Sequence, residues 1–182
     1  MPFGKFIVIP IFVAIQASSL MLLAPCIKTL GVGEGGLATW IAFQAWAMYF
    51  LAGCKVKTAL KVLAGYIGGI AASIAIFELG DYLAVDVGMD FYWGYALAVL
   101  VVVVPVISME KVPGLNLIPA WFIGAGVFFG IMGLLNYGHN VAGYKTALVP
   151  EVAACAVGLV YGWVTVTFRG WYEAKVGAGA KA

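Results

Sequence analysis

Six apolar runs, parted by short polar or glycine-rich stretches, order this chain: residues 6–30, 37–53, 60–77, 91–109, 115–135 and 145–168. A hydrocarbon core of about 30 Å takes about 20 residues of helix to cross. By that measure the runs are read as spanning helices, with 37–53 short for one. The first run is too long for a signal-peptide core of about 7–15 residues, and no small-residue cleavage site follows it. It is therefore read as a retained first span. Gly31–Gly36 (GVGEGG) reads as a flexible turn and 78–90, with four acids and no base, as a polar loop. Tyr92, Trp93 and Tyr95 mark an aromatic belt at a membrane face. The chain after residue 170 reads as a flexible tail.

Composition agrees with this pattern. Of the 182 residues 64% are hydrophobic and only 10% charged, where soluble domains carry about 25% charged residues. A soluble fold of this length leaves too much surface exposed to absorb such a chain. The fold class is thus an all-α membrane protein with six spans in residues 1–170, both ends on one side. The lysines and arginines assign that side. Lys5, Lys55, Lys57, Lys61, Lys111, Arg169, Lys175 and Lys181 fall on the terminal side; Lys28 and Lys145 fall opposite. Positive residues collect in the cytoplasm, so both termini are expected there. No basic stripe with interleaved aromatics is present, and nucleic acid is not expected as a partner.

Two short words suggest an internal repeat. Trp40-Ile41-Ala42-Phe43 has a counterpart in Trp121-Phe122-Ile123-Gly124, and Lys57-Thr58-Ala59-Leu60 returns as Lys145-Thr146-Ala147-Leu148. Read as copies, helices 1–3 and 4–6 form two halves. An odd number of spans per half puts them in opposite orientations, the inverted plan of many channels and transporters. The other reading is chance recurrence in an apolar alphabet. Gly65-xxx-Gly69, Gly126-xxx-Gly130 and Gly158-xxx-Gly162 are spaced for close helix packing in lipid.

Chemistry is sparse. No HExxH, GxSxG or phosphate-binding glycine loop occurs, and neither enzyme activity nor a cofactor is expected. Cys26, Cys54 and Cys155 lack ligand spacing and read as small hydrophobes. His139 reads as a solvated loop residue, with pH sensing as its functional alternative. Glu151 stands out, because an acid within a span is costly and usually faces protein or water. If Lys145 marks the outer interface, Glu151 lies roughly 9 Å deeper. It then either lines a vestibule or pairs with Lys145 or Lys28. Pro150 beside it leaves the carbonyl of Thr146 without its helical donor. Gln16, Ser18, Ser19, Trp40, Gln44 and Trp121 complete the residues expected along a solute path, against a plainer role as glue between helices.

The words Trp40 to Gly69, Ile118-Pro119-Ala120-Trp121-Phe122-Ile123-Gly124-Ala125, Leu148-Val149-Pro150 and Gly158-Leu159-Val160-Tyr161-Gly162 carry a resemblance over roughly two thirds of the chain. It resembles a family of small bacterial inner-membrane proteins defined as a domain of unknown function, number 1097. The resemblance implies an inner-membrane helix bundle, no stated activity, and no fixed acid at the position of Glu151. The residues therefore point to a channel or transporter for a small, mostly neutral solute or gas, working as a homo-oligomer of three subunits in the bilayer. The alternative is a non-catalytic accessory subunit of a larger membrane complex.

Overall fold

The computed structural model describes residues 2–28 and 37–178, with side chains for 2–23 and 39–176. The expected turn at 31–36, the side chains of Pro25, Cys26 and Lys28, and the residues after 178 lie outside the described part. Among the described residues the chain is all helix and no strand. A short α1 (Phe3–Phe6) leads into α2 (Val8–Lys28), followed by α3 (Leu37–Leu51) and α4 (Val56–Asp81). A π-helical turn, Tyr82–Asp86, extends α4. Then come α5 (Phe91–Ser108) with a 3₁₀ turn at Met109–Lys111, α6 (Ile118–Leu134) and α7 (Val141–Ala178).

Each apolar run becomes a helix, but the ends differ from expectation. Among the described residues, four helical segments are long and apolar enough to cross a membrane: Phe3–Leu23, Val56–Asp86, Phe91–Lys111 and Val141–Val176. Ile118–Leu134 is apolar and shorter, and α3 has only 15 residues. The 78–90 stretch is not a loop throughout. Its first part continues α4 because Leu79, Leu83 and Gly80 still pack, Gly80 under the ring of Tyr95. Asp90 ends the break by capping α5, its carboxylate accepting from the backbone N–H groups of Tyr92 and Trp93 at 3.0 and 3.4 Å. Residues 171–178 continue α7 as helix. An Arg169–Glu173 pair at 2.8 Å, Lys175 over the Trp171 ring and a 2.7 Å bond from the Tyr172 hydroxyl to the Lys5 carbonyl hold that last part.

The two longest helices, α4 and α7, form the spine, and each takes a shorter helix along its side. α4 packs most extensively on α6, and α7 on α3. Glycine makes both contacts close. A Cβ on Gly65 would meet Ala120, and one on Gly69 would strike the backbone of Trp121 and Ala125. A Cβ on Gly158 would strike the Ala42 carbonyl, and one on Gly162 the Tyr49 side chain. Numbers rise together across both seams, so each pair is parallel. Gly126, whose Cβ would meet nothing within 4 Å, belongs to neither. Polar groups tie α2 to α7: Gln16 Nε2 donates to the Tyr161 carbonyl at 3.3 Å, and Thr165 Oγ1 donates to Gln16 Oε1 at 2.8 Å. Ser19 and the Tyr161 hydroxyl share a 2.7 Å bond. α5 is the least enclosed of the membrane-length helices, with Leu100, Val101 and Val104 on its outer face.

Candidate functional site

The interior of an apolar bundle offers few partners for a polar atom, so each buried polar group has to be accounted for. Ser73 is satisfied, its hydroxyl donating to the carbonyls of Gly69 at 3.0 Å and Ala125 at 3.3 Å, which fastens α4 to α6. Glu151 is not. Its side chain is 0% exposed, and neither carboxyl oxygen has a hydrogen-bond partner among the described residues. The Tyr66 hydroxyl, Trp46 Nε1 and Thr39 Oγ1 are buried and unpartnered as well. Tyr66 on α4 and Cys155, one turn along α7, lie within electrostatic reach of Glu151. Two apolar clusters make up much of the buried interior. Ile41, Ile70, Val127, Phe128, Ile131 and Ala154 belong to one; Ala45, Met48, Val62, Ala120 and Leu159 belong to the other, with Tyr66 and Cys155.

The ion-pair reading of Glu151 thus fails for Lys145, which is exposed and gives it no bond; the Lys28 side chain lies outside the described residues. Nor does Glu151 line a wet vestibule in this conformation. The cause lies in side-chain direction: α7 carries Pro150, Glu151, Ala154 and Cys155 buried together, while Lys145 and Thr146 face out.

The other expected path residues do not gather around it. Gln16 and Ser19 sit on the α2–α7 seam, and Ser18 is exposed. Trp40 is 39% exposed with its ring edge toward Gly130, and Gln44 is half-buried. Trp121 lies against Gly68 and donates its Nε1–H to the Leu115 carbonyl at 3.0 Å. A cavity of about 710 Å³ opens between α2, α3 and α7, lined by residues including Ile9, Phe50, Thr165 and Arg169, without Glu151. As the structure stands, these residues serve as bonds and packing at separate seams.

A second polar cluster escaped the sequence reading. At the end of the bundle where α4 finishes and α7 begins, His139 Nδ1 lies 2.7 Å from Asp81 Oδ2. The Tyr95 hydroxyl donates to the other Asp81 oxygen and lies 3.4 Å from His139 Nδ1. The Tyr144 hydroxyl donates to Glu78 Oε1 at 2.8 Å. The imidazole rests on Phe77 with ring centroids 4.0 Å apart. Four elements meet here: α4, α5, the 135–140 connection and α7. Glu78 and Asp81, three apart, share a helix face, and that spacing was the available signal. Composition hides it, because four acids without a base between 78 and 90 read as a loop. His139→Ala should loosen this clasp by about 0–1 kcal/mol, since both partners are partly exposed at 30% and 40%. Hydrogen exchange confined to residues 135–145 checks this; unchanged exchange there would show that the contact holds nothing.

A protein-family model, described as "Protein of unknown function (DUF1097)", matches residues 7–177. The chain belongs to that family. The match spans every helix from α2 to all but the last residue of α7, so DUF1097 membership covers the whole bundle, Glu151 and the His139 clasp included. No curated protein and no solved structure matches.

Proposed function

We propose that this DUF1097 protein moves a small, mostly neutral solute or gas across a bacterial inner membrane, as a channel or transporter and without catalysis. The observation that carries this reading is the fully buried, unpartnered carboxyl of Glu151 inside an apolar bundle, with the unpartnered Tyr66 hydroxyl in electrostatic reach. A polar group left unsatisfied in lipid or protein interior costs about 1–3 kcal/mol. Ionisable groups within spans mark solute and ion routes. Because Glu151 is fully enclosed, the reading favours a route that opens when helices shift over a standing pore.

Packing supports the 3+3 inverted plan. Exchanging α2 with α5, α3 with α6 and α4 with α7 turns the α4–α6 seam into the α7–α3 seam. Those are the two most extensive contacts, both parallel and both glycine-lined. α4 and α7 are then each other's counterparts, and the place where Tyr66 and Glu151 approach lies between the halves, where inverted-repeat transporters hold their substrates. In this reading α3 and α6 are the short spans of each half, which makes six spans with both ends cytoplasmic. A bundle of 19.2 kDa gains shielding for such a route as a homo-oligomer, with three subunits the first expectation. Native mass spectrometry from lipid nanodiscs should show trimers, and a monodisperse monomer would remove that part.

Topology is tested by single cysteines placed in a cysteine-free chain. A probe at Gly88 should react with an impermeant reagent from outside, and one at Glu173 only after the membrane is opened. The reverse pattern would overturn the orientation. The rival reading, an accessory subunit, predicts that a larger complex co-purifies; a channel or transporter is complete alone.

A further inference from the structure

We propose that Glu151, with the Tyr66 hydroxyl, is a proton-exchange site of this chain, in equilibrium with the face that carries His139. The proposal rests on the transport reading and deepens it by naming the proton as the species this site takes up and releases.

The surroundings select a proton. Glu151 is 0% exposed with both oxygens unpartnered, and the Tyr66 oxygen nearby is unpartnered too. α4 offers it Tyr66 and α7 offers Cys155. The buried residues of α3 and α6 include Ile41, Ala45, Met48, Val127, Phe128 and Ile131, with Tyr49 the one titratable side chain among the buried members of those helices. Ion pairs among the described residues are confined to His139–Asp81 and Arg169–Glu173, and no base reaches Glu151. A metal ion needs several donors, and no group of three or more His, Cys, Asp or Glu able to hold one exists among the described residues. A proton needs a single carboxyl.

The access is one-sided. Tyr144 precedes Glu151 by seven residues, two turns or roughly 10 Å along α7, and so shares its inward face. Both are buried. The Tyr144 hydroxyl donates to Glu78. Beyond it stand Asp81, Tyr95 and half-open His139, all linked by hydrogen bonds. Pro150 lacks an N–H, so the Thr146 carbonyl between the two levels has no helical donor and can hold water. In the other direction the seam is close-packed, with Gly158 and Gly162 pressed on Ala42 and Tyr49, and the cavity beyond it, lined by Thr165 and Arg169, does not reach Glu151. Tyr161 turns to Ser19 on α2, and the next charged residue is Arg169. The exchange itself balances simply. A carboxylate oxygen takes a proton from hydronium, forming an O–H bond and leaving water; in return that O–H bond breaks and water carries the proton off.

Infrared difference spectroscopy on the full chain in lipid vesicles tests this without any solute. Stepping the outside pH should make the carbonyl band of a protonated carboxyl appear and disappear reversibly. Glu151→Gln should remove that band, Glu151→Asp should keep it at a changed frequency, and Tyr66→Phe should shift it by deleting the neighbouring hydroxyl. His139→Ala should slow the response several-fold without moving the band. A band that titrates unchanged in Glu151→Gln, or a wild-type protein with no titrating band, would overturn the site. An unaltered rate in His139→Ala would overturn the one-sided access, and a band abolished by sodium, with choline as control, would replace the proton by Na⁺. A titrating band without solute flux would leave this site standing and remove the transport reading; flux without the band would do the reverse.

Discussion

Gly69→Leu and Gly158→Leu are each expected to prevent assembly of a stable bundle. The reason is the atom each side chain would meet. At Gly69 a Cβ alone runs into the Trp121 carbonyl and the Ala125 amide; at Gly158 it runs into the Ala42 carbonyl. Backbone cannot step aside as a flexible side chain can. Overpacking a well-packed core costs typically 1–3 kcal/mol and more where backbone must move. In lipid the loss is felt fully, because close van der Waals packing is what brings apolar helices together. Gly126→Leu is the control: its Cβ meets nothing within 4 Å, and the helix gains propensity. Unfolding of the purified protein in detergent, followed by circular dichroism and size-exclusion, should separate the three. Normal folding of both seam variants would mean that α4–α6 and α3–α7 are not packed as described.

The second large effect concerns Glu151, where stability and activity should move apart. Glu151→Leu removes an unpartnered buried carboxyl, a group that costs about 1–3 kcal/mol, and fills the same apolar junction. The variant should therefore melt at or above the wild-type temperature. Solute flux, in contrast, should fall to the background of empty vesicles, since the polar atoms where α4 meets α7 are gone. Glu151→Gln should keep the volume, remove the charge and change rate or pH dependence with folding intact. A structural role for Glu151 predicts the opposite pairing, with both variants destabilised and any surviving protein fully active. Melting curves and flux on the same preparations decide between them.

Residue order along the chain was enough to read α2 to α7 as helices, because apolar runs near bilayer length have little else to become. The glycine pairs at 65/69 and 158/162 were equally legible as close contacts. The boundaries were less so. Acids at 78, 81 and 86 look like loop in composition, yet no Pro interrupts that stretch and Gly80 is needed under Tyr95, so helix carries on. That Glu151 falls within an apolar helix was legible and its direction was not. α7 is apolar nearly all round, and such a helix carries no stripe to say which face turns inward. That direction is decided by α3 and α4, through the glycines and Tyr66, and only the packed structure supplies it. The same holds for the clasp: Asp81, Tyr95 and His139 are far apart in sequence and meet only because α4, α5 and α7 end together.

We propose that this chain, alone in a bilayer, carries a small neutral solute past Glu151. Purified wild-type protein and Glu151→Gln, reconstituted side by side in liposomes, should be compared for light-scattering flux over a panel of small neutral solutes. At least one solute is expected to move faster than in protein-free liposomes, and Glu151→Gln to change this rate with its oligomer and melting point unchanged. Protein-free rates for every solute, or wild-type rates in Glu151→Gln at every pH, would contradict it.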